Sequence, residues 1–183
     1  MNKKEFNELT LLYFDCHSAI KEIIKESSGR YPRNYKRFEK KRINKFLSNI
    51  PYKARSITDF STDLMSGLIV NHGLPNTNHR TTIFFISIIL RNLKIKFPHY
   101  DSKKYKKKWI DECNRYISKS KRILYQRKKD KNYREKHRKW TKDWLTEAIG
   151  NQSISSGMMS RHRLNSLKKI SSSDGLSSVI IKK

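Results

Sequence analysis

The stretch Ile83-Phe84-Phe85-Ile86-Ser87-Ile88-Ile89-Leu90 carries a single polar residue, and a segment apolar on every side has to be enclosed on every side. It is less than half of the ~20 residues needed to cross a bilayer, so the enclosing medium must be protein. This element therefore belongs at the centre of whatever the chain folds into. Its β-branched and aromatic residues favour a buried strand on propensity alone. A helix at the middle of a bundle accounts for the run as well, with Asn76, Thr77 and Asn78 ahead of it as N-cap residues. A continuous apolar run has no period, and pattern leaves both forms open.

The flanking sequence is helical in rhythm. Phe6, Leu9, Tyr13, His17, Ile20 and Ile24 recur at three- or four-residue intervals, the stripe of an amphipathic helix, and Gly29 stops it. Residues 30–56 hold Pro32 and Pro51 around Phe38, Ile43, Phe46 and Leu47, which reads as loop, short helix, loop. Ile57, Phe60, Leu64, Leu68 and Ile69 form a second stripe that ends near Asn71, with Gly73 placed as its expected C-cap. Trp109, Cys113, Tyr116, Ser120 and Ile123 form a third. Residues 150–183 are Ser-rich with few large apolar groups, the composition of a mobile tail. The 183 residues thus suit one helical domain, 1–149, with a C-terminal appendage.

Charge is distributed unevenly. The chain carries a formal net charge of +26, which calls for anionic partners. Residues 91–142 hold 21 Lys and Arg against 5 Asp and Glu, interleaved with Tyr100, Tyr105, Trp109, Tyr116, Tyr125, Tyr133 and Trp140. That pattern fits a surface for nucleic acid or ribosomes, and it equally fits long helices with basic wet faces and aromatics turned inward. Residues 1–20 place Glu5, Glu8 and Asp15 where an export signal needs uninterrupted apolar sequence. Cys16 and Cys113 form no CxxC pair, which points to a reducing, cytoplasmic setting.

Between the second stripe and the apolar run lies His72-Gly73-Leu74-Pro75-Asn76-Thr77-Asn78-His79-Arg80. A helix beginning near Asn78 presents free backbone N–H groups and the positive end of its dipole to an anion. Arg80 in its first turn adds a forked, permanently charged donor, and the Asn78 amide can bond a phosphate oxygen. His72, just after the preceding helix, has a side chain that titrates near neutrality and can accept a proton from a hydroxyl.

Over roughly residues 57–95 the chain resembles the Fic/Doc family, whose signature runs His-x-Phe-x-(Asp or Glu)-(Gly or Ala)-Asn-(Gly or Lys)-Arg. His72, Asn78 and Arg80 fall in register with its fixed members. Arg80-Thr81 and Leu90-Arg91 resemble the segment that follows the motif in Doc. The resemblance implies an all-α, Fic/Doc-like bundle in which 78–92 is the central helix and the basic 91–142 stretch a helical extension. It also implies transfer of a phosphoryl or AMP group from ATP, with Mg²⁺, to a protein hydroxyl. His72 would be the base; Thr77, Asn78, His79 and Arg80 would hold phosphate. Asn76 stands where the family has its Mg²⁺-binding carboxylate and is a neutral, weaker ligand. Leu74 replaces the Phe as an apolar anchor, and Thr77 replaces Gly or Ala. Ile83 falls where AMP-transferring members carry a second Arg, so the site is closer to Doc. The family's self-inhibitory Ser/Thr-x-x-x-Glu-Gly/Asn helix is missing from the sequence, so control would come from a separate partner such as an antitoxin.

Overall fold

The computed structural model describes residues 3–50, 56–95, 97 and 103–149, without the side chains of 3–7 and 103–106. The Ser-rich 150–183 segment, Tyr100 and the side chain of Tyr105 lie outside the described residues. Among the described residues the chain is all-α: α1 (Lys3–Ser28), α2 (Lys40–Ser48), α3 (Ile57–Asn71), α4 (Asn78–Asn92), α5 (Lys103–Tyr125), a 3-10 turn over Gln126–Lys128, and α6 (Tyr133–Ile149). No helix is long and apolar enough to cross a membrane among these residues.

The apolar run is the interior helix α4. It packs against α1, α3 and α5, and residues 81–86 and 88–90 are buried. Strand propensity loses here for a physical reason. A helix satisfies its backbone donors and acceptors internally, so side chains can surround it on all sides, whereas a strand needs a paired neighbour. The half-buried Ser87 donates its hydroxyl to the Phe84 carbonyl at 2.6 Å. The helix ends where Lys94 turns left-handed (φ 59°) and the Ile95 N–H reaches back to the Leu90 carbonyl at 2.9 Å, a Schellman-type stop.

Each stripe packs as its spacing requires. From α1, Leu9, Leu12, Tyr13, Cys16 and Ile20 are buried; Tyr13 packs edge-on to Phe85 at 5.1 Å and bonds Thr82 Oγ1 at 2.9 Å. Gly29 (φ 74°) closes α1. Helix α2 crosses α3 closely enough that a Cβ on Gly67 would collide with the Phe46 ring. On α5 and α6, Trp109 stacks on Trp144 at 5.5 Å, and Tyr116 lies 4.7 Å from Trp144. The interleaved aromatics of 91–142 therefore divide: Trp109 and Tyr116 are core, while Tyr125 is 90% exposed.

Candidate functional site

The 72–80 segment is locked from one side by the loop before α2. The Tyr35 N–H donates to the Pro75 carbonyl at 3.1 Å, and the Glu39 N–H to the Gly73 carbonyl at 2.9 Å. The left-handed cap of α3 is His72 (φ 52°, ψ 46°), whose N–H donates to the Leu68 carbonyl, and not Gly73 as the sequence suggests. Gly73 is small for another reason: a Cβ there would strike the Ile43 side chain of α2. Leu74 is fully buried and anchors it from below.

Asn76 fastens the segment to α1. Its Nδ2 donates to the Pro32 carbonyl at 3.0 Å and to Asn34 Oδ1 at 2.6 Å. Its Oδ1 therefore faces His17 Nε2 at 2.8 Å and also accepts the Thr77 hydroxyl at 3.2 Å. A carbonyl acceptor opposite Nδ2 fixes the amide's orientation, and that in turn requires His17 to carry its proton on Nε2. Both lone pairs of Oδ1 are used. Among the described residues no three His, Cys, Asp or Glu side chains gather to hold a metal ion. The donor set at Asn76 therefore does not fit Mg²⁺.

The start of α4 is open. Its N-cap, Thr77, adopts φ 50°, ψ 17° and makes no side-chain cap. Its hydroxyl turns instead to Asn76 Oδ1 and Thr81 Oγ1. Among the described residues the N–H groups of Asn78, His79 and Arg80 make no hydrogen bond, and the first helical bond is that from Thr81 to Thr77. Asn78 is buried; its Nδ2 donates once, to the Ile69 carbonyl at 3.2 Å, and its Oδ1 has no partner. Arg80 is exposed.

His72 sits across from this helix end. Tyr35 stacks on its ring at 5.5 Å, and the Tyr35 hydroxyl lies 2.9 Å from Nε2. Burial lowers the pKa of His72, helped by the nearby charges of Lys36, Arg127 and Arg42 against the opposing pull of Glu39. The ring is neutral near pH 7 and able to accept a proton.

His79 turns inward. Its Nε2 is 2.8 Å from Ser120 Oγ, which is 2.6 Å from His137 Nε2, whose Nδ1 is 2.8 Å from Ser66 Oγ. All four are buried. Burial, then the charges of His137, Lys121 and His72, push His79 down to about 3; burial pushes His137 down to about 4. The chain runs from the wall of the α4 cleft to a second hollow of about 600 Å³, which Ser66 lines.

His72, Thr77, Asn78, His79 and Arg80 all border one cleft of about 1210 Å³, while Asn76 does not. The opposite wall comes from the end of α5 and the 3-10 turn: Lys121, Arg127, Lys128 and Lys129, with Tyr125. Among the described residues no Asp or Glu borders it. Sequence reasoning missed Tyr35, Ser120 and His137 as parts of the site. A Ser within an apolar stripe and a His four residues before Thr141 and seven before Trp144 were the available signals.

The fold and cleft define an all-α protein with an uncapped helix end and a neutral imidazole facing a cationic wall. The chain belongs to the family described as "Family of unknown function (DUF8172)", whose model matches residues 3–150. No curated protein and no solved structure matches it.

Proposed function

We propose that the protein is a Fic/Doc-like transferase that moves a phosphate-containing group from ATP to a hydroxyl. One observation carries the reading: the residues at the start of α4 whose N–H groups are bare border the same cleft as His72 and the cations of α5 and the 3-10 turn. An N-cap Thr ordinarily satisfies one of those donors itself; here the Thr77 hydroxyl is spent elsewhere, which leaves the helix end for an anion.

The residues divide the work. The α4 N–H groups and Arg80 hold phosphate oxygens, and the second N–H of Asn78 adds a donor. His72 Nε2 takes the proton of the acceptor hydroxyl as its oxygen bonds to phosphorus and the phosphorus–oxygen bond to the leaving phosphate breaks. The Tyr35 hydroxyl occupies the place at Nε2 from which an acceptor would deliver that proton, so the acceptor has to displace it. Lys121, Arg127, Lys128 and Lys129 supply the charge neutralisation that a carboxylate-held metal supplies in the resembling family, and no step here passes through Mg²⁺ at Asn76.

Incubation with candidate acceptors and ATP labelled separately at the α and γ positions tests the reading. Label from one position on an acceptor, lost in His72→Ala, supports it and identifies the group. Transfer that survives His72→Ala, or no transfer from either position to any acceptor, rejects it.

A further inference from the structure

We propose that the α5 side of the cleft is a docking groove for single-stranded RNA. The groove shares its walls with the transfer site but requires no transfer, since binding is measured without nucleotide.

Unpaired positive charge is the first observation. Some cations of α5 and α6 are engaged: Arg115 with Glu112 and Glu147, Lys136 with Asp130, Arg138 with Asp63, Lys142 with Asp59. Lys121, Arg127, Lys128 and Lys129 border the cleft and have no ion-pair partner among the described residues. Their field reaches across it, because Arg127 is among the charges that depress His72. Four free cations on a wall that has no carboxylate among the described residues match the spaced charge of a phosphodiester backbone.

The second observation is aromatic. Tyr125, 90% exposed, and Tyr35, 58% exposed, both border the cleft. Neither contributes to the core, and a wet ring beside free cations is what an unpaired base stacks on. Bases inside a duplex are already stacked and out of reach, which selects a single strand. The third observation concerns the sugar. Asn114, Ser118 and Gln126 line the same wall and are neutral groups that both donate and accept, as a 2′-hydroxyl does.

Fluorescence anisotropy of a short, labelled single-stranded RNA with the full chain tests the groove. Binding is expected to fall steeply between about 50 and 200 mM salt. Tyr125→Ala should weaken it roughly tenfold, with an unchanged circular dichroism spectrum because the ring is exposed. Joint Arg127→Glu, Lys128→Glu and Lys129→Glu should remove it. A charge-matched control, Lys107→Glu and Lys108→Glu on the far part of α5 with Lys139→Glu on α6, all three exposed, should cost far less. The groove is wrong if the control loses as much as the cleft variant, or if Tyr125→Ala binds like the parent. Equal affinity for the same sequence as single-stranded DNA or as duplex RNA overturns the choice of ligand.

Discussion

The hydroxyl of Tyr35 sits 2.9 Å from Nε2 of His72 with the two rings stacked, so the imidazole that the sequence singles out already has a hydroxyl in place. Tyr35 is more exposed than His72, and it is held by its own backbone bond to Pro75 more than by its side chain. Removing the hydroxyl alone should therefore leave the fold intact and free Nε2. If His72 is the base, Tyr35→Phe is expected to raise transfer by about two- to tenfold, the range of one competing hydrogen bond. Initial rates with a fixed acceptor measure this, and a fall in rate would instead make Tyr35 a participant in the reaction.

Arg127 reports on whether the 3-10 turn closes over His72 in solution. It is one of the cations that hold the imidazole pKa below its ordinary value, after burial and Lys36. Taking that charge away in Arg127→Gln should move the His72 titration upward, toward the ordinary value near 6.5. NMR titration of the ring protons detects the shift. The same titration in the parent should place the midpoint below 6.5, with the neutral form dominant at pH 7.

Asn76 is an Asn because of what it faces. An Asp there would point acceptors at the Pro32 carbonyl and Asn34 Oδ1, which now receive its N–H groups. Asn76→Asp, which restores the Fic/Doc carboxylate, should lower stability by about 1–3 kcal/mol through those unmet acceptors. It should also raise the His17 pKa, which burial now lowers, by placing an anion against Nε2. A urea melt and an NMR titration check the two effects separately; an unchanged melting curve would mean the loop does not depend on this amide.

Thr77 stores strain that a Gly, one of the two residues the resembling motif uses at this position, would avoid. A β-branched residue at φ 50° is costly, by roughly 1–2 kcal/mol. Its two side-chain bonds, both 3.2 Å, return only part of that. Thr77→Gly is thus expected to hold or raise the melting temperature, and a clear drop would show that the hydroxyl does more for the loop than its geometry implies.

The helical stripes were legible because each is a local rhythm: Leu9 to Ile20, Phe60 to Ile69 and Trp109 to Ser120 all bury the face their spacing marks. The apolar run showed its burial but not its form, since Ile and Phe suit strands and only the absence of a pairing neighbour decides for a helix. Around the site, His72 and Arg80 stand out by their offset from a helix start. Tyr35 does not, because it reaches His72 through a loop 37 residues away in sequence. Asn76 and His79 were legible as polar residues near a helix end, but their partners His17, Asn34 and Ser120 lie on other elements, so the direction of their side chains was not. A sequence displays what a residue can bond with, and packing chooses which bond it makes.

The buried chain from His79 through Ser120 and His137 to Ser66 makes stability depend on pH in a definite sense. Both imidazoles are held neutral, His79 to about pH 3 and His137 to about pH 4, whereas in the unfolded chain they take protons near 6.5. Between those values the unfolded state binds more protons, so stability rises with pH and is lost as pH falls from about 6.5 toward 3–4. Each His contributes a slope of up to about 1.4 kcal/mol per pH unit in that window. Ser120→Ala leaves His79 Nε2 and His137 Nε2 without their shared partner and should cost about 1–3 kcal/mol for each buried group at neutral pH. Urea melts of parent and variant across pH 4–7 measure both effects. A parent whose stability is flat over that range would show that the two imidazoles are not buried as neutral groups.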